Sequence, residues 1–205
     1  MKYILLCGGN YTNWKTPRQL VQLGKEKVIE RTIRLLQENR IEDIAISTEN
    51  PAFNELGYEI INRANSFVSD GVNTKGNWVD AFPLTEEPVC YVFGDVVFSA
   101  RAIKTIVETE TNDIEFFASA PPFALNYYKK YAEPFAFKVV NTEHFKEAIE
   151  ETIRLKDKFY REPIAWELWQ VIKGTELNTI VANYIKINDF TCDIDSEDDL
   201  KYFHF

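Results

Sequence analysis

The sequence predicts an α/β fold: a three-layer α/β/α sandwich on a mostly parallel sheet, with an added antiparallel element. Three observations carry this expectation. Short apolar runs alternate with amphipathic helical stretches in the first half, the pattern of parallel strands joined by crossovers. Two of those runs end on glycine, at Gly8-Gly9 and at Gly94-Asp95. The 205 residues contain no internal repeat and no Pro/Gly/Ser-rich linker, which fits one compact domain over 1–205.

Taken in order, Lys2 to Cys7 is a buried strand entering a turn. Glu26 to Asn39 follows as a helix with Val28, Ile29, Ile33, Leu35 and Leu36 on its apolar stripe and Lys25, Arg31 and Arg34 off it. Asp43 to Thr48 and Tyr58 to Asn62 are the next strands, and Pro88 to Phe93 is a continuous apolar strand. Ser99 is placed to cap a helix over Ala100 to Glu110. Asp113 to Ala118 and Pro134 to Val140 read as strands, and Thr142 to Lys156 and Glu162 to Lys173 as helices. A late strand over Thr179 to Ile187 and a short helix over Ser196 to Tyr202 close the chain.

Composition narrows the function. Lys and Arg number 23 against 32 Asp and Glu, a net charge of -9, which argues against nucleic acid as a partner because phosphate backbones call for basic surfaces. A small anionic ligand remains compatible, since it needs only local positive groups. No apolar run reaches the roughly 20 residues of a membrane span, and Met1 to Gly9 lacks the features of a signal peptide, so a cytoplasmic protein without membrane contact is expected. Cys7, Cys90 and Cys192 are widely spaced, and with only His144 and His204 they make no zinc constellation; reduced, buried thiols are expected.

Ligands of open α/β sheets sit outside the carboxyl ends of the strands, which directs attention to three segments. In the first, Gly8, Gly9 and Asn10 follow a buried strand, where backbone N–H groups can meet an anion, and Lys15 and Arg18 follow with positive charge; a plain loop is the other reading. In the second, Gly94 presents Asp95 at the end of a strand, as a Mg²⁺ carboxylate or as the turn before a helix. In the third, Asp193 and Asp195 alternate on an extended stretch with Ile194 inward, and Ser196 caps a helix whose first turn holds Glu197, Asp198 and Asp199.

In this order the three segments resemble the nucleotidyltransferases of GT-A-like fold, which include sugar-phosphate, molybdenum-cofactor and methylerythritol-phosphate cytidylyltransferase types. Pro17-Arg18-Gln19-Leu20 stands where that family has Pro-Lys and a short hydrophobic stretch. Phe93-Gly94-Asp95 resembles its metal-binding Gly-Asp, and Asp193-Ile194-Asp195-Ser196-Glu197-Asp198-Asp199-Leu200 its terminal D-I-D-T-P-E-D-L. The glycine loop is shorter than the family's and lacks its second glycine and its Arg.

The resemblance implies a single nucleotidyltransferase-like domain transferring a nucleoside monophosphate from an NTP to a phosphorylated small metabolite, with release of pyrophosphate. It implies Asp95 and Asp195 as Mg²⁺ ligands and Arg18, with Lys15, as the catalytic cations. Gly8, Gly9, Asn10 and Gly94, with the base-reading stretch Lys75, Gly76 and Asn77, are implied against the nucleotide. Two alternatives stand beside it: a non-catalytic nucleotide-binding protein of the same fold, and a glycosyltransferase, which would want Asp-x-Asp where this chain has Gly94-Asp95-Val96. Phe116, Phe117, Phe123, Tyr127, Tyr128, Tyr131, Phe135 and Phe137 crowd one stretch; it reads as an acceptor pocket (a quaternary ammonium cage among the options), as the arm of a homodimer, or as core. Trp166 and Trp169 are expected on one buried helix face.

Overall fold

A computed structural model describes residues 1–8, 10–11, 14–62, 68–69, 74–119, 132–159, 164–177 and 183–203. The first strand, β1 (Lys2–Leu6), lies between two parallel neighbours, β2 (Ile44–Ser47) and β4 (Val89–Phe93), with Leu5 opposite Ile46 on one side and Val92 on the other. Strands covered on both faces read as continuous apolar runs rather than alternating ones. β2 and β4 are buried along their whole length, and so is β1 from Tyr3 onward. β3 (Glu59–Ile61) extends the sheet beyond β2.

After β4 come the two-residue strand β5 (Val96–Val97) and helix α2 (Ala100–Glu108). The antiparallel pair β6 (Ile114–Ser119) and β7 (Pro134–Val139) follows, with Phe135 as the extra residue of a bulge. β8 (Ile185–Ile187) pairs in parallel with β6. The sheet order is β8-β6-β7-β4-β1-β2-β3, and β7 alone runs against the rest. The mostly parallel sheet with one antiparallel insertion is therefore as expected.

Helix α1 (Val28–Glu38) packs against α2, and α3 (Thr142–Phe159) against α4 (Ala165–Ile172). Successive side chains on a strand point to opposite faces, and β7 shows which face each helix pair covers. Phe137 meets Phe145 of α3 and Trp169 of α4 at ring separations of 5.8 and 6.4 Å. The next residue, Lys138, reaches the other way and donates to the Val107 and Thr109 carbonyls at 2.9 and 2.6 Å. An ammonium at the last carbonyls of α2 complements the helix dipole, and it satisfies the groups where that helix ends, short of the expected Glu110.

Other boundaries shift for local reasons. α1 starts at Val28 rather than Glu26, because Glu26–Lys27 pairs with Gln22–Leu23 in a ribbon around Gly24. The Lys27 N–H donates to Glu30 at 2.7 Å, and Arg34 grips Glu26 through Nε and Nη2 at 2.9 and 2.7 Å, which lowers the Glu26 carboxyl below its usual range. Ser99 caps α2 as expected, accepting from the Ala102 N–H at 2.9 Å. α3 runs on to Phe159. α4 begins at Ala165 rather than Glu162, and residues 179–182 of the late strand lie outside the described ones.

The expected terminal helix is corrected. A short 3₁₀ turn covers Asp199–Tyr202, and Ser196 does not cap it. Instead the Asp199 carboxylate accepts from the N–H groups of Asp195 and Ser196 at 2.9 and 2.8 Å. An Asp inside the turn thus satisfies the backbone ahead of it.

The aromatic stretch divides. Phe116, Phe117, Phe135 and Phe137 are fully buried, with Phe116 stacked on Phe137 at 4.5 Å and edge-on to Trp166 at 4.9 Å. For these four the core reading holds; Phe123, Tyr127, Tyr128 and Tyr131 lie outside the described residues. Trp166 and Trp169 are buried on α4. His144 is half-buried with Nδ1 3.0 Å from Asp113, and His204 lies outside the described residues. Among the described residues no helix is long and apolar enough to cross a membrane.

All three cysteines are free and buried. Burial pushes the Cys90 thiol up to about 12, the nearby Lys138 ammonium pulling the other way without offsetting it, and burial likewise raises the Cys7 thiol and the Tyr3 phenol. A thiol held protonated in the folded state stabilises fully below its unfolded pKa, and that stability is lost as pH rises toward the folded value. Each such group should cost about 1.4 kcal/mol per pH unit above roughly pH 8.5. Urea unfolding between pH 8 and about pH 10.5 is expected to show this fall, with a shallower one in Cys90→Ala; parallel curves would refute it.

Candidate active site

The carboxyl ends of the parallel strands are knitted together by backbone groups. The Cys7 N–H donates to the Ser47 carbonyl at 2.9 Å, the Gly94 N–H to the Leu6 carbonyl at 3.0 Å, and the Thr48 hydroxyl to the Cys7 carbonyl at 3.1 Å. Gly94 has no room for a side chain. A Cβ there would overlap the Cys7 sulfur and lie 2.9 Å from the Leu6 carbonyl oxygen. This tight turn is what sets Asp95 at the sheet edge, beside the loop that leaves β1.

The C-terminal segment comes to the same place by pairing. β9 (Cys192–Asp193) runs antiparallel to β5, with Val96 opposite Asp193, and the Ile194 N–H donates to the Asp95 carbonyl at 3.0 Å. Beneath it lies a separate small cluster of Leu23, Val28, Val97, Cys192, Ile194 and Phe203, with Trp14 and Leu200 packed against it. Ile194 is fully buried, so the alternation read from the sequence turns its neighbour Asp195 outward.

Arg18 joins these pieces. It opens a short 3₁₀ turn after Pro17 and is only 4% exposed. Its Nη1 donates to the Ile194 carbonyl at 2.6 Å and to the Asp195 carboxylate at 3.0 Å, and its Nη2 lies 3.1 Å from the Asp95 carboxylate. The Trp14 indole donates to the Asp195 carbonyl at 3.3 Å. The Asp95 side chain is 21% exposed and that of Asp195 53%. The Asp95 pair is therefore the shielded one, while the Asp195 pair, open to solvent, adds little to stability.

The two carboxylates expected to hold a metal thus lie on one guanidinium. As a donor set they fit Mg²⁺, a hard ion that takes one or two carboxylates and shares the rest of its shell with water and substrate phosphate. Cys7, close by, stays a neutral thiol because burial and the Asp95 charge both raise its pKa. Among the described residues no group of three or more His, Cys, Asp or Glu side chains converges to cage an ion without such sharing.

The remaining expected residues fall as follows. Gly8 is partly exposed at the end of β1, and Gly9 lies outside the described residues. Asn10 pairs through its backbone with Val68, and Lys75 with Val68 from the other side. Lys15 is exposed on the loop. Gly76 has φ +82, a left-handed conformation that favours glycine. Its carbonyl and the Asn77 side-chain oxygen accept from Lys156 of α3 at 2.9 and 3.1 Å. The structure thus brings Arg18, Asp95 and Asp195 into contact, while Gly76 and Asn77 are held by Lys156 of α3. Sequence reasoning missed Lys156, which stands on an ordinary amphipathic helix with no motif around it. It also missed Trp14, although Trp14 lies inside the loop already singled out.

No known protein family matches the chain by sequence, and no curated protein matches it. Solved structures do match it in fold. A Bacillus anthracis protein described as a glucose-1-phosphate thymidylyltransferase has a TM-score of 0.57 at 14% identity, over 98% of this chain and 93% of that one. The inositol-1-phosphate CTP transferase of T. maritima has a TM-score of 0.56 at 16% identity, over 97% and 90%. The CTP:phosphocholine cytidylyltransferase of Streptococcus pneumoniae has a TM-score of 0.51 at 18% identity, over 98% and 96%. The chain has the Rossmann-like α/β fold of these nucleotidyltransferases.

Gly94→Ala should destabilise the fold by about 1–3 kcal/mol, since neither the buried sulfur nor the backbone oxygen can withdraw cheaply. Urea unfolding of the variant at neutral pH checks this; a midpoint equal to wild type would mean that the turn tolerates a side chain.

Proposed function

We propose that this chain is a Mg²⁺-dependent nucleotidyltransferase, a single domain over 1–205 that joins an NMP unit to a phosphorylated small metabolite. The observation that carries the reading is the meeting of Asp95 and Asp195, remote in sequence, at the carboxyl edge of the sheet where α/β folds bind ligands. The fold shared with transferases named for glucose-1-phosphate, inositol-1-phosphate and phosphocholine supports it.

Asp95 and Asp195 would hold the Mg²⁺ ion, which when bound offsets charge on the triphosphate. Backbone N–H groups around Gly8, Gly9 and Asn10 bind the phosphates beside it, with Gly94 keeping the floor of the site close. Lys15, exposed on the same loop, would add positive charge to them. Lys75, Gly76 and Asn77 face the base, on a segment that Lys156 holds in position. A phosphate oxygen of the acceptor forms a bond to the α-phosphorus as the bond to the β-bridging oxygen breaks, and pyrophosphate leaves with that electron pair. The protein's part is orientation and charge, which suffices for phosphoryl chemistry of this kind.

Pyrophosphate release should be measured with each of CTP, UTP, ATP, GTP and dTTP against glucose-1-phosphate, inositol-1-phosphate and phosphocholine. Release that requires Mg²⁺ and stops with EDTA is expected for at least one pair. Asp95→Asn and Asp195→Asn should each lower kcat by at least about 100-fold with an unchanged circular dichroism spectrum. Nucleotide binding without release on any acceptor would instead favour a non-catalytic binding protein of the same fold.

A further inference from the structure

We propose that Arg18 is the resident counter-ion of the Asp95–Asp195 pair, and that it keeps free divalent cations out of the site until a triphosphate arrives with its own negative charge. This rests on the reading of the two carboxylates as metal ligands. A guanidinium does not shed its proton in a protein, so the charge of Arg18 is permanent. Its position is fixed as well, because the side chain is 5% exposed and Nη1 is held at 2.6 Å by the carbonyl of Ile194, itself fully buried.

The planar fork reaches both carboxylates while keeping that carbonyl, which the point charge of a lysine does less well. The two carboxylates therefore present to an incoming cation only part of their charge. The cation must also sit beside a fixed positive group a few ångströms away, where partial burial weakens screening by salt. A cation that comes with a triphosphate meets no such barrier, because the phosphates compensate both it and Arg18.

The test is Mn²⁺ binding without nucleotide, followed by the electron paramagnetic resonance signal of the free ion, on the full chain. Arg18→Gln should bind Mn²⁺ at least about tenfold more tightly than wild type, while Arg18→Lys, which keeps the charge but not the fork, should gain less than Arg18→Gln. Loss of fold can only weaken binding, so a gain separates the counter-ion role from a structural one. Adding Asp195→Asn to Arg18→Gln should remove the gain; a gain that survives overturns the proposal, as does Arg18→Gln binding no more tightly than wild type. The wild-type protein gives a second measure that needs no variant. Its Mn²⁺ binding should be weak, on the order of millimolar, as for ions held mainly by substrate phosphates, and micromolar binding without nucleotide would overturn the proposal. Neither readout depends on pyrophosphate release, so failure here leaves the transferase reading standing and failure there leaves the counter-ion intact.

Discussion

A buried guanidinium must be met by oxygen acceptors, and the site of this protein is organised by that demand. Arg18 cannot be neutralised and sits almost wholly out of water. The fold answers with the Ile194 carbonyl and with the carboxylates of Asp95 and Asp195. These come from the turn after β4 and from the far end of the chain, so one side chain ties the opening loop to two remote segments. The small apolar cluster around Val97 and Ile194 lies under the same junction and closes the C-terminal segment onto it.

The sheet supplies the platform. β1, between β2 and β4, brings the glycine loop beside the Gly94 turn, and the backbone bonds among Leu6, Cys7, Ser47 and Gly94 fix the strand ends against one another. The turn at Gly94 can be this close only because the residue has no side chain. On the far side of the sheet Lys138 ends α2, while Phe137 one residue earlier enters the aromatic core shared with α3 and α4. Local backbone geometry thus places the acidic residues, and the layers around the sheet keep it there.

Much of this was legible in the residues. The continuous apolar runs gave the strands, since a strand covered on both faces needs no alternation. Ser99 marked the start of α2 because a hydroxyl beside the first free N–H groups has one obvious use. Boundaries were less legible where a distant residue decides them. The end of α2 depends on Lys138, and the last turn on the Asp199 carboxylate rather than on Ser196. Both candidates had suitable chemistry, and geometry chose between them.

The sequence by itself determined the fold class, the reduced thiols and the identity of the acidic residues at the strand ends, because those follow from periodicity, from composition and from glycines that permit tight turns. Only the tertiary structure decided that Arg18 lies between Asp95 and Asp195, and that Lys156 holds Gly76 and Asn77. A charged side chain carries no mark of its partner along the chain. Its electrostatic energy depends on distance through space and on exclusion of water, and both come into being only when the chain has folded.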